Sequence, residues 1–189
     1  MDYRWIPAAA LVAAVMTAPL STAHARDGMS WSWIEGGVSW FDPDDLDSQD
    51  GFNLRGSAAL GDRFYLQGGL DRWDFGSDEL HYYKAGIGFH SALSESVSTF
   101  VELSYAGIEL AGTDQDGGRL DFGVRAAPGN GPIEFRGYVG AQADGFEDPE
   151  FIGGADLLFR IGDLFGISVG AETFEFDATI YRANLRLSF

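Results

Sequence analysis

The sequence contains no cysteine, only 12 lysines and arginines against 29 acidic residues, and three histidines. Without thiols the chain can form neither disulfide bonds nor thiolate metal sites. A formal net charge of -17 argues against nucleic acid as a partner, because such binding depends on Lys and Arg that neutralise phosphates. These shortages leave an acidic chain of 189 residues for which we expect no cofactor.

The sequence also lacks an apolar run long enough to form a membrane-spanning helix. Its most apolar stretch, Ala8 to Leu20, is shorter than the roughly 20 residues that such a helix needs. Arg4 precedes this stretch, and Ala23-His24-Ala25 after it matches a small-x-small cleavage pattern. We therefore predict a signal peptide at 1–25 and an exported domain at 26–189, with an uncleaved anchor helix as the alternative.

After residue 26 the apolar residues alternate with polar ones at a period of two, and no helical period persists. Short alternating segments are separated by Gly, Asp, Pro and Ser, which is typical of an all-β fold. The predicted strands lie near residues 34–40, 52–60, 64–70, 83–89, 97–105, 120–126, 133–141, 151–159, 165–171 and 181–189. Ten is an even number, as in bacterial single-chain membrane barrels.

The predicted connections between strands fall into two classes. One class is short and nearly neutral. The other class is acidic and consists of the segments 42–50, 71–79, 109–117, 144–150 and 175–177, which together hold 18 acidic residues. Such a division is typical of a barrel with short turns at one end and larger loops at the other.

The polar face of the predicted strands carries charges of both signs. The acids are Glu35, Glu102, Asp121, Glu134, Asp156 and Glu172, and the bases are Arg55, Lys84, Arg125, Arg136, Arg160, Arg182 and Arg186. If the seven bases faced lipid at about 2–4 kcal/mol each, the total of roughly 14–28 kcal/mol would exceed a typical folding free energy. The charged face must therefore point into the lumen or into water.

A soluble, lipocalin-like barrel with its apolar face inward is the main alternative, because alternation alone does not decide which face is inside. Two further features favour the membrane barrel. The charged face is rich in glycine (Gly86, Gly88, Gly123, Gly140, Gly154, Gly170), as a crowded interior requires. Aromatic residues near strand ends are predicted to form interfacial girdles, namely Trp31, Trp33, Trp40, Trp73, Phe75, Tyr82 and Phe89.

The end of the chain carries the most specific motif. Phe189 is the last residue, and apolar Leu187, Leu185, Ala183 and Tyr181 precede it at alternate positions. With the signal peptide, this ending makes residues 26–189 similar to the outer-membrane β-barrel domain family, which includes opacity-type, OmpA-like and OmpX-like barrels. The resemblance implies a transmembrane antiparallel up-and-down β-barrel in the outer membrane. Its best-known members have eight strands, so eight is the alternative to ten.

Residues that could support catalysis or bind a metal are few. After the signal peptide only His81 and His90 remain, and their odd spacing places them on opposite faces of one strand. Ser77 and Glu79 lie close to His81 in sequence, but they do not form a recognisable catalytic motif. We predict no catalytic, cofactor-binding or metal-binding residues and therefore no enzyme, with an outer-membrane hydrolase as a remote alternative.

The acidic segment 42–50 invites comparison with a calcium-binding loop. It departs from the EF-hand pattern, because Asp50 takes the place of the required glycine and no closing Glu follows. A solvated acidic loop is the simpler interpretation. Carboxylates in such loops could also share Mg²⁺ or Ca²⁺ with anionic lipopolysaccharide, which remains a hypothesis.

We expect a monomeric, non-enzymatic outer-membrane barrel whose paired lumen charges largely plug it and whose acidic loops face outward. Its role would be in envelope structure or surface interaction. The expected partners are outer-membrane lipid, lipopolysaccharide and the barrel assembly machinery, which would recognise the strand ending at Phe189. A small cation-preferring, porin-like channel is the alternative function.

Overall fold

The computed structural model describes residues 29–44, 46–76, 78–110, 113–143, 149–175 and 177–189, so the predicted signal peptide lies outside the described residues. The described chain is almost entirely β-strand, with one short 3-10 turn at Pro128–Asn130. The strands are β1 Trp33–Pro43, β2 Gln49–Leu60, β3 Phe64–Phe75, β4 Asp78–Ser94, β5 Val97–Leu110, β6 Thr113–Ala126, β7 Ile133–Ala143, β8 Glu150–Ile161, β9 Phe165–Phe174 and β10 Ala178–Ser188.

These ten strands form a closed antiparallel barrel in which each strand pairs with its neighbours in sequence. The first and last strands close the ring, with Trp33 opposite Ser188 and Pro43 opposite Ala178. Beyond the paired residues of β1 and β10, the backbone N–H of Phe189 donates to the carbonyl of Ser32 at 3.0 Å. The prediction of ten strands is confirmed, and the eight-stranded alternative is wrong.

The two ends of the barrel differ in their connections. We call one end the turn end. It holds the tight turns after β2, β4, β6 and β8 together with residues 29–32 and Phe189. Gly61 and Gly162 adopt φ of 73° and 74° in two of these turns, a conformation that suits glycine. We call the opposite end, where the acidic connections lie, the loop end.

Two of the predicted acidic connections are wrong, because the strands continue through them. Strands β3 and β4 pair as far as Phe75 and Asp78, and β5 and β6 pair as far as Leu110 and Thr113. Strands β3 to β6 have 12–17 residues and exceed the roughly 9–11 that cross a bilayer. A hairpin that extends past the membrane can carry acids on its water-facing side without interrupting its backbone pairing.

The outer and inner faces of the wall have opposite chemistry. The predicted alternating apolar residues point outward, for example Leu103, Phe165 and Leu185, which are 60%, 61% and 71% exposed. The polar residues between them point inward, and Glu35 and Asp121 are 1% and 0% exposed. Within the described ranges, no helix is long and apolar enough to cross a bilayer. This is a membrane-spanning barrel with a lipid-facing exterior and an ionic interior.

The predicted aromatic girdle is mostly wrong. Trp40 and Phe89 lie on the outward face, and Phe89 packs edge-on against Phe64 with ring centroids 5.3 Å apart. The other five point into the lumen and lie near its two ends: Trp31, Trp33, Trp73, Phe75 and Tyr82. Strand-end position is shared by girdle and lumen residues, so it does not separate them, whereas the inward or outward alternation does.

Candidate functional site

The lumen is filled by one continuous chain of ion pairs, which we call the ion-pair ladder. Seven cations and seven carboxylates alternate strictly along it, and every link joins a nitrogen and an oxygen within 4.0 Å. From the turn end to the loop end the groups are Arg125, Glu134, Arg186, Glu35, Arg55, Asp156, Arg136, Glu102, Lys84, Asp121, Arg119, Glu172, Arg182 and Asp71.

The local sequence explains how so many long side chains fit inside. All ten strands contribute at least one ladder group from an inward position. The inward glycines leave space for the neighbouring side chains, because a Cβ at Gly140 would collide with Asp121 and one at Gly170 would collide with Asp156. The glycine-rich charged face that the sequence predicts is therefore confirmed as a crowded interior.

The middle of the ladder crosses the bore. Arg55 on β2 contacts Glu35 at 2.5 Å and Asp156 on β8 at 3.0 Å. Arg136 joins the same Asp156, at 3.3 Å, to Glu102, at 2.9 Å. Tyr65 adds a hydrogen bond from its hydroxyl to Glu102 at 2.7 Å. Strands on opposite sides of the barrel are thereby tied together through its centre.

The loop-end half of the ladder is the most deeply buried. Arg119 donates to Asp121 at 2.9 Å, to Glu172 at 2.7 Å and to the hydroxyl of Tyr82 at 2.6 Å. Arg182 donates through two nitrogens to the two oxygens of Asp71, each at 2.8 Å. Buried charges are tolerated only when they are paired and their remaining polar atoms are bonded, and this arrangement meets both conditions.

The sequence predicts most of the ladder but not all of it. The six predicted acids and six of the seven predicted bases belong to it. The seventh base, Arg160, lies at the turn end, where its Nη2 donates to the carbonyl of Gly131 at 2.6 Å. The prediction missed Asp71, which was assigned to the connection 71–79, and Arg119, which lies between the predicted connection 109–117 and the predicted strand 120–126. Arg119 lies two residues before Asp121 and Asp71 lies four residues after Gln67, and this even spacing from an inward polar residue would have identified both.

An aromatic group covers the turn end of the ladder, and we call it the turn-end cap. Trp31, which precedes β1, stacks on His90 with centroids 4.1 Å apart, and it also contacts the rings of Tyr65 and Phe100. The guanidinium carbon of Arg125 lies 4.7 Å from the Trp31 ring centroid, which is close enough for a cation–π interaction. Residues 29–32 thus fold back into the mouth of the barrel.

A larger apolar group closes the loop end of the lumen, and we call it the loop-end cap. Its buried members are Trp73, Leu80, Tyr82, Ala106 and Ile180, against which Phe41, Phe75, Ile108 and Phe174 pack. Trp73 is completely buried. It lies two residues after Asp71, so the cap rests directly on the last ion pair of the ladder.

Between the caps the ladder leaves a cavity of about 50 Å³ near the turn end, beside Trp31, Arg55, Gln67 and Lys84. A single water needs roughly 10–15 Å³ of such volume, so the space suits a few water molecules and not a solute of sugar size. The ladder side chains therefore occupy much of the lumen between the caps.

The two histidines lie on opposite faces of β4, as predicted. His90 is buried in the turn-end cap, while His81 is partly exposed near the loop end with its Nε2 3.3 Å from Glu79 Oε2. Ser77 lies outside the described residues. In the part of the chain that is described, no three His, Cys, Asp or Glu residues are placed to hold a metal ion, and this includes the described members of the 42–50 segment.

Comparison with known proteins finds similarity only among solved structures, because no family model and no curated protein matches the chain. The KdgM porin is 11% identical, with 83% of this chain and 99% of that chain aligned at a TM-score of 0.48. Ail, the attachment invasion locus protein of Yersinia pestis, is 16% identical over 85% and 98% at 0.38. Neisserial surface protein A is 14% identical over 85% and 98% at 0.36.

At these identities no residue role can be transferred from those proteins. The barrel architecture is established by the strand registers of this chain, and its site is defined by the geometry of its own ladder and caps.

Proposed function

We propose that this protein is a non-enzymatic, non-conducting barrel of the Gram-negative outer membrane, with a role in envelope structure or surface interaction. The observation that carries the proposal is the ion-pair ladder, which fills the bore from Arg125 to Asp71 and is covered by an aromatic cap at each end. A lumen that is filled by paired side chains has neither the width nor the free charge that ion conduction requires.

The outer-membrane location has three supports. Residues 1–25 have the composition of a signal peptide, and the chain ends on a strand whose alternate residues are apolar up to Phe189. The lipid-facing exterior needs a bilayer around it. In this location the turn end faces the periplasm and the loop end faces outward, where its acidic connections meet lipopolysaccharide.

A monomer is the simplest assembly, since one chain closes the barrel without leaving an unpaired strand edge. The last strand, β10, pairs with β1 and ends at the turn end, which is the periplasmic side in this proposal. It is therefore available to the barrel assembly machinery during insertion.

A small cation-preferring channel is the second candidate, and the acidic loop end favours it. Exposed acids such as Asp42, Asp44 and Asp177 at that mouth would attract cations and repel anions. Conduction would require the ladder and both caps to rearrange, because ion pairs cross the bore and an aromatic group covers each of its ends.

Planar-bilayer recording tests the proposal. The protein is purified from membranes in detergent, and its folded state is verified by a shift in electrophoretic mobility between unheated and boiled samples. We expect the verified protein to insert without steady open conductance. Steady conductance steps, with a reversal potential in a salt gradient that indicates cation preference, would instead support the channel.

The absence of enzymatic activity is tested separately with His81, the histidine nearest the outer mouth. Lipid deacylation or peptide hydrolysis that disappears in His81→Ala but persists in His90→Ala would contradict the non-enzymatic proposal. We expect neither activity in the unsubstituted protein.

A further inference from the structure

The cavity in the lumen has an unusual balance of charge. Five cations line it, Arg55, Lys84, Arg125, Arg136 and Arg186. Only three carboxylates do, Glu102, Glu134 and Asp156. Two further carboxylates stand behind the lining: Glu35 contacts Arg55 and Arg186, and Asp121 contacts Lys84. The charges are therefore balanced overall, but the groups that face the cavity are mostly cations.

The hydrogen-bonding groups at the cavity are also biased toward donors. Trp31 Nε1, Arg55 Nε and Gln67 Nε2 are buried nitrogens with no acceptor among the described residues. Lys84 Nζ is held only loosely, 3.7 Å from Asp121 and 4.0 Å from Glu102. Both distances exceed those of a good charge-assisted hydrogen bond, so the ammonium group has donors to spare.

The strand register places two of these donor residues on either side of Gly69, and we call the space beside this glycine the niche. Arg55, Gly69 and Lys84 lie side by side on β2, β3 and β4, with Gly69 between the two cations. Gly69 lines the cavity and has no side chain to fill the space between them. Gln67 is the next inward residue on β3, so its side-chain amide borders the same niche.

We propose that this niche binds a small inorganic anion of halide size. The anion accepts hydrogen bonds from Gln67 and Lys84 and lies against the cations that line the cavity beside Arg55. The cavity of about 50 Å³ accommodates one such ion with a water or two, and it excludes organic anions of sugar-acid size. The turn-end cap separates the site from the periplasmic mouth.

Thermal unfolding of the detergent-solubilised protein tests this proposal, with sodium chloride and sodium bromide compared against sodium gluconate at equal ionic strength. A ligand at ten times its Kd stabilises the folded state enough to raise the Tm of a protein of this size by about 3–6 °C. We expect a saturable rise of this order with either halide. We also expect a bromide anomalous-scattering peak beside Gly69 in crystals.

Two buried glutamines provide a matched pair of variants. Gln67 and Gln142 are both 7% exposed in the lumen, but only Gln67 lines the cavity. Gln67→Leu should abolish the halide-dependent rise, whereas Gln142→Leu should keep it. If Gln67→Leu does not fold, Gly69→Ala replaces it, because the added methyl meets only the flexible Arg55 side chain at 3.2–3.7 Å and the Leu54 carbonyl at 3.7 Å while it narrows the niche.

The outcomes separate an anion from water and from general salt effects. Equal Tm in halide and gluconate together with no bromide peak would mean that the cavity holds water only, which overturns the proposal. An equal halide effect in Gln67→Leu and Gln142→Leu would assign it to the acidic surface and overturn it as well. None of these measurements uses conductance, so the result is independent of the proposed function.

Discussion

The two ends of the lumen are both closed by aromatic side chains, but they are built in different ways. At the loop end Trp73, Leu80 and Ile180 project from paired strands, so the loop-end cap is part of the barrel wall. At the turn end Trp31 belongs to a segment that precedes β1 and is held by its ring contacts and a few hydrogen bonds. We therefore expect the turn-end cap to open more readily than the loop-end cap while the barrel stays closed.

The shared support of both caps is the ion-pair ladder, and its removal should have the largest effect. Arg119→Met keeps the length of the side chain but leaves Asp121 and Glu172 without their closest cation. Loss of one partner in a buried ionic network costs about 3–5 kcal/mol, because the other charge stays buried. We expect urea denaturation to show a destabilisation of this size or a failure to fold.

Arg160→Met is the control for this variant, since Arg160 lies at the turn end and donates to the Gly131 carbonyl. Its loss should cost about 2 kcal/mol, which is less than the loss of Arg119 and is typical of a hydrogen bond made by a charged group. If Arg119→Met and Arg160→Met lower the free energy of unfolding by similar amounts, the ion-pair ladder contributes no more to stability than a contact at the turn end does.

The second prediction compares the caps themselves. Trp73→Ala should lower the free energy of unfolding by about 3–5 kcal/mol, because a large side chain is removed from a wall that cannot close around the cavity. Trp31→Ala should cost less than about 2 kcal/mol, because the segment at 29–32 can detach without unfolding the strands. Denaturant midpoints measured in the same detergent give both values, and equal losses would show that the turn-end cap is as firmly integrated as the loop-end cap.

The third prediction concerns access to the lumen, and the cysteine-free sequence makes it simple to measure. A cysteine introduced by Gln67→Cys lies behind the turn-end cap. Its reaction with the small neutral reagent methyl methanethiosulfonate should be slow, and it should become about tenfold faster when Trp31→Ala is added, since opening of the cap then costs about 1.4 kcal/mol less.

Trp73→Ala is the matched background for the labelling experiment. The ladder still separates Gln67 from the loop end in this variant, so the labelling rate should not change. Acceleration by Trp73→Ala alone would show that solutes reach the cavity from the outer mouth, and it would favour the channel over the plugged barrel.

The outer surface could be predicted from the sequence because a strand has a fixed period of two. Once Leu185 and Leu187 face lipid, Arg182, Asn184 and Arg186 must point inward, whatever the partners are. The strand number followed from the same alternation. Acidic residues at strand ends hid the continuation of β3 and β6, which is why Asp71 was assigned to a connection and Arg119 was left outside the predicted strand.

The pairing inside the lumen could not be predicted in the same way. Contacts such as Arg55 with Asp156 and Arg182 with Asp71 join strands that are not neighbours. Which groups meet across the bore depends on strand tilt and stagger around the whole ring, and a single strand's alternation contains no information on either. The turn-end cap was missed because Trp31 lies outside any strand, and the loop-end cap was missed because Trp73 fell in the predicted connection 71–79.

The smallest expected effect concerns the acidic connections beyond the loop-end cap. Asp42, Asp44 and Asp47 are exposed there beside the anionic lipid surface of the proposed location. Mg²⁺ and Ca²⁺ prefer oxygen ligands such as carboxylates and phosphates. Divalent cations should therefore bridge the loop carboxylates and the lipid phosphates. In lipopolysaccharide-containing vesicles, EDTA should lower the Tm by about 1–2 °C, and excess Mg²⁺ should restore it.

The double variant Asp44→Asn with Asp47→Asn should lose most of this response, and detergent micelles without lipopolysaccharide should show none. Because these side chains lie outside the lumen, the labelling rate of Gln67→Cys should stay the same in the double variant. A Tm that does not respond to EDTA in vesicles would mean that the loops are solvated acids with no bridging ion.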